Sequence, residues 1–145
     1  VKDLAKSSLL TIKITDEKLA GRDVGKEFVI TEMSAFQTEM WSFRALQLLS
    51  KEKLQINDFL NEDGGVSLNA LKIFQVGLSS LSQCNPLEVK ELFDEMMECI
   101  KIKMPGGGTR NIIDGSDDIE EIYTIYKLRK EWFNLNFSFF KAFNS

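Results

Sequence analysis

Hydrophobic residues change period several times along the chain, and each change marks an expected element. Leu10, Ile12 and Ile14 alternate with Thr11, Lys13 and Thr15, and further on Phe28 and Ile30 alternate with Val29 and Thr31. A period of two predicts strands with one face turned inward. The stretch between them, residues 16–26, holds Gly21 and Gly25 among charged residues, so an antiparallel hairpin with a long charged loop is expected. Such a pair is marginal alone and must pack on a helix. Ser34 follows as an N-cap, with Gln37 at the position from which a side chain reaches back to the cap amide. The helix it opens should run over residues 35 to about 49. Its apolar residues fall on several sides: Phe36, Met40 and Phe43 on one, Trp41, Ala45 and Leu48 on another, Leu46 and Leu49 on a third. A helix this apolar all round is buried or has several partners.

Beyond residue 50 the pattern turns polar, with a short helical turn expected at 56–60 before Gly64 and Gly65 break it. From Ser67, a second helix carries Leu71, Phe74, Leu78 and Leu81 at helical spacing. Asn85-Pro86-Leu87-Glu88 is the clearest start in the chain: a capping amide, a proline where the missing N–H costs nothing, and an early acid. Val89, Leu92, Phe93, Met96 and Ile100 then form one stripe, so a third helix buries one side. Near Cys99 the period returns to two. Ile100, Ile102 and Met104 alternate with lysines, Pro105 to Gly108 turn the chain, and residues 110–114 come back, a second small hairpin. The last helix is expected from Asp118 to about residue 143. Ile119, Ile122, Tyr126, Phe133, Phe137 and Phe140 lie on one stripe, and Ile125, Leu128, Trp132, Leu135 and Phe139 on another.

The expected fold is therefore α+β: a mainly helical single domain over residues 1–145, with about four helices and one or two small antiparallel hairpins. A hydrophobic fraction of 43% with eleven phenylalanines fits a packed core, and a chain of this length buries about 70% of its unfolded surface. The formal charge of −4 argues against nucleic acid, whose phosphates need clustered cations. The run Lys127, Arg129, Lys130 is too short to reverse that and reads as a solvated helix face. No stretch has the apolar length of a membrane span or the form of a signal peptide, so a reducing cytoplasm is the expected compartment. Cys84 and Cys99 permit at most one disulfide, and Cys99 reads as a small buried hydrophobe.

Candidate chemistry narrows further. The chain has no histidine, which removes His-activated nucleophiles and His-containing zinc sites, and two cysteines cannot complete a zinc site made of cysteines alone. Gly106-Gly107-Gly108 lacks the Gly-Lys-Ser/Thr that opens a phosphate-binding helix. Asp114, Asp117, Asp118, Glu120 and Glu121 lack the spacing of a calcium loop and are expected to charge the N-terminus of the last helix. No paired carboxylates suited to acid–base catalysis stand out, Glu32 and Glu39 included. No metal, cofactor or enzymatic activity is expected.

Two segments carry a family resemblance. GKEFVITEM, followed by a helix with Glu39, Trp41, Arg44, Ala45 and Leu46, resembles the tail assembly chaperones of long-tailed bacteriophages. The segment LRKEWFNLNFSFF is similar to the end of that family, with Asn136 where its pattern has histidine. The resemblance covers roughly residues 9–49 and 119–140. It implies a phage or prophage protein, working in the host bacterial cytoplasm, that binds the tape-measure protein and promotes tail tube assembly together with other tail proteins. The alternative is a structural virion component, a minor tail or head-to-tail connection protein. The family offers surfaces rather than catalytic residues. The partner-binding candidates are Met40, Trp41, Trp132, Phe133, Phe137, Phe139 and Phe140. The phenylalanine-rich end must be covered by this domain, by another copy in a homo-oligomer, or by the client.

Overall fold

A computed structural model describes residues 8–51 and 84–137, without the side chains of residues 49–51. The helix expected from Ser67, the turn at 56–60 and the end of the last helix lie outside the described residues. Within them the chain is α+β, as its periodicity predicts. Strand β1 (Leu9–Lys13) leads into a short helix α1 (Glu17–Ala20) and a 3-10 turn (Gly21–Asp23). Then come β2 (Glu27–Thr31), α2 (Ala35–Lys51), α3 (Pro86–Glu98), β3 (Ile100–Lys103), β4 (Thr109–Asn111) and α4 (Ile122–Phe137).

The two expected hairpins are not separate. They join through β2 and β3 into one antiparallel sheet of order β1-β2-β3-β4, with Phe28 opposite Ile102 and Ile30 opposite Ile100. That register puts Phe28, Ile30, Ile100 and Ile102 on one buried face, with Leu10 and Ile12 packed at its side. Thr11, Lys101 and Lys103 take the solvated face, the alternation of an antiparallel sheet packed on one side. Leu128 and Trp132 of α4 and Leu92 and Met96 of α3 belong to the same core as the inner sheet face. Burying the Phe28 ring contributes about 1.5–3 kcal/mol.

Helix starts agree with their caps. Ser34 Oγ accepts the Gln37 amide at 3.1 Å, and Asn85 Oδ1 accepts the Leu87 amide at 2.9 Å ahead of Pro86. The 16–26 connection holds more order than the expected loop. Asp16 caps α1 by accepting the amides of Lys18 and Leu19 at 3.0 and 2.9 Å. Gly21 has φ +43°, which L side chains rarely adopt, so the backbone here favours glycine; a Cβ would also meet the movable Glu121 carboxylate at 2.7 Å. Gly107 and Gly108, at φ +98° and +79°, turn β3 into β4.

The last helix begins at Ile122 rather than Asp118, and its acids are spent differently from the expected dipole charge. Asp118 instead holds Arg110 in a two-pronged pair with both bonds at 2.7 Å and accepts the Ile113 amide at 2.9 Å, closing the turn after β4. The group at the α4 N-terminus is Asp23, almost a hundred residues earlier. Its carboxylate has no solvent exposure. It accepts the Glu120 and Glu121 amides at 2.9 Å, the Thr124 hydroxyl at 2.6 Å and the Lys26 ammonium at 2.7 Å. A buried carboxylate at the positive end of a helix, with this many donors, is satisfied rather than stranded. Burial on its own would raise the Asp23 pKa, but the bonds from Lys26, Thr124 and the two amides outweigh it and hold the group below its ordinary value.

Candidate partner-binding surface

Helix α2 is apolar on two opposite sides, and the two sides meet different fates. Trp41 and Leu48 are buried and Ala45 is packed against the core. The Trp41 indole N–H donates to the Leu92 carbonyl at 3.1 Å, and Arg44 pairs with Glu95, so α2 is tied to α3. On the other side Phe36 is 83% exposed, Met40 55% and Phe43 66%, with Leu46 flanking them. Positions 36, 40 and 43 lie within one turn-to-turn ridge of the helix. Three large apolar side chains in a row, with no covering element among the described residues, form the contiguous kind of patch that marks an interaction surface, unlike a lone exposed leucine. The exposed Glu39, three residues after Phe36 and four before Phe43, borders the ridge, which offers a contact surface with an acidic edge.

The sequence-derived candidates separate in the same way. Met40 stands on the exposed ridge. Trp41, Trp132 and Phe137 are core residues: the Trp41 and Trp132 rings lie 4.7 Å apart between centroids, tilted by 60°, and Phe137 meets Trp132 edge-on at 6.0 Å. Phe133 is half-buried and packs on Phe137 at 4.5 Å. Phe139 and Phe140 lie outside the described residues. Burial corrects the surface role of Trp41, Trp132 and Phe137, because rings enclosed by their own domain present no area to a partner. The ridge residues Phe36 and Phe43 were missing from the candidates, although their spacing with Met40 was visible. The signal was the apolar excess of α2: one helix face was enough for the core.

Asn136 has a defined place. It is buried, accepts the Met33 amide at 2.9 Å and donates to the Trp132 carbonyl at 2.9 Å. The elbow between β2 and α2 is thus bolted to α4, and the two segments that carry the resemblance touch each other. Cys99 is half-buried. Burial pushes its thiol up, with the neighbouring Trp132 N–H acting the other way, so it is not poised as a nucleophile. Among the described residues no cluster of three or more metal-ligating side chains occurs, and no helix is long and apolar enough to cross a membrane. No protein-family model matches the chain, and no curated protein or solved structure is significantly similar to it.

Proposed function

We propose that this protein is a tail assembly chaperone of a long-tailed bacteriophage or prophage, holding the tape-measure protein in soluble form in the host bacterial cytoplasm until the tail tube forms. The observation that carries the reading is the uncovered ridge of Phe36, Met40 and Phe43 on α2. A tape-measure protein is long and helical, and its apolar stripe aggregates unless masked. A helix presenting aromatic rings and a pliable methionine is suited to masking it. Support also comes from the contact between the two family-like segments through Trp41, Trp132 and Asn136. Binding, not catalysis, is the proposed activity, with the tape-measure protein and other tail proteins as partners.

Mass spectrometry of purified virions beside the lysate tests this reading against that of a structural component. A chaperone is abundant in lysate and absent from the finished particle. Stoichiometric recovery from virions overturns the proposal in favour of a minor tail or connection protein.

A further inference from the structure

A second feature lies away from the α2 ridge. Arg129 of α4 stacks over the Phe93 ring, its guanidinium carbon 3.7 Å from the ring centroid, with Tyr126 at 5.5 Å. Its Nε is shielded from solvent and has no hydrogen-bond acceptor. Among the described residues no carboxylate pairs with it, whereas the neighbouring cation Lys90 is matched to Asp94 at 2.7 Å. Arg129, Lys90 and Asp94 line one surface cleft of about 400 Å³ whose other walls are Pro86, Val89, Phe93 and Cys84. Lys90 and Asp94 cancel each other, so the cleft carries one uncompensated positive charge among apolar walls.

A guanidinium whose Nε is shielded and unpaired carries a cost to the fold, and planar donors of this kind match a carboxylate two bonds at a time. We infer that this cleft is a docking site for a glutamate or aspartate side chain, flanked by apolar residues, on a partner polypeptide. The walls accept the apolar flanks, and the single net charge suits a monoanion. A phosphate dianion fits poorly, since Asp94 also lines the cleft and the apolar walls cannot replace the dianion's hydration. The inference rests on the proposed function only for the name of the partner, because the cleft's preference is a property of these side chains.

The probe is the blocked tripeptide acetyl-Leu-Glu-Phe-amide, titrated into the full chain while the backbone amide resonances of Lys90, Phe93 and Asp94, and in the unaltered chain also the Arg129 Nε–Hε resonance, are followed by NMR. Its glutamine counterpart and inorganic phosphate serve as comparisons. The glutamate peptide is expected to give a saturable shift, with the glutamine peptide and phosphate at least tenfold weaker. Arg129→Met keeps an apolar stem over Phe93 and should bring the glutamate peptide down to the glutamine level, without lowering the thermal midpoint. Equal response to both peptides, a matching response to phosphate, or undiminished binding by a folded Arg129→Met variant overturns the inference. If that variant does not fold, the glutamate–glutamine comparison on the unaltered chain still decides. None of these results depends on capture of a tape-measure protein, so failure here and failure of the chaperone reading are told apart.

Discussion

Asp23 shows how one residue ties distant segments together. Its carboxylate replaces a local cap for α4 and draws Lys26 in beside it, so the β1–β2 connection and the start of the last helix are fixed by a single group. Removing it leaves two amides and an ammonium without their buried acceptor, and Asp23→Ala is expected to cost about 3 kcal/mol, measured by chemical denaturation. A loss under about 1 kcal/mol would mean that water replaces the carboxylate. Asp23 and Asp118 both have folded pKa values held below the ordinary 3.8: for Asp118 the largest cause is the Arg110 guanidinium, and for Asp23 the bonds outweigh its burial. A group whose pKa is lower folded than unfolded contributes stability above the unfolded value and loses it as the pH falls. Stability should therefore be flat from neutral pH to about 5 with respect to these two groups and drop below 3.8. Asp118→Asn should shrink that drop, and an unchanged acid limb in the variant would show that Asp118 is not responsible.

At the scale of elements, caps and periods were legible and long-range ties were not. Ser34 and Asn85 occupy the cap positions their neighbours announce, and Ser34→Ala and Asn85→Ala should each lower stability by about 1 kcal/mol. Unchanged denaturation midpoints for both would contradict the caps' contribution. The alternation at Ile100–Lys103 and its glycine turn were equally plain, since period two and positive φ are local properties. The pairing of β2 with β3 was hidden, because no residue pattern names a strand's second neighbour. So was the cap supplied by Asp23, which lies far from Glu120 in sequence. The exposed ridge was half visible: spacing placed Phe36, Met40 and Phe43 together, but only packing tells which of two apolar faces the domain uses. The same ambiguity misassigned Phe137, whose ring meets Trp41 and Trp132. Phe137→Ala is expected to cost about 3–5 kcal/mol. A variant with wild-type stability but lost partner binding would restore its surface role.

Across the described residues, the sheet and helices α3 and α4 form a core that enlists one side of α2 and leaves Phe36, Met40 and Phe43 on the other side exposed. In the proposed chaperone role that division matters, because the inner face, held by Trp41 and Leu48, fixes the outer one in place. Each large apolar side chain covered on association is worth about 1.5–3 kcal/mol before the cost of ordering is subtracted, so three residues are enough to decide whether a client is held. The most direct test of the proposed chaperone role is co-expression with a tape-measure protein as the proposed client, comparing the wild-type chain with the triple variant Phe36→Gln, Met40→Gln, Phe43→Gln. Glutamine suits a helix, and these side chains are exposed, so the variant should keep its circular dichroism spectrum and thermal midpoint. The expected result is soluble tape-measure protein co-purifying with the wild type and less than about a tenth of that amount with the folded variant. Full capture by the variant would move the contact away from α2, and a wild-type chain that leaves the tape-measure protein insoluble would contradict the chaperone reading itself.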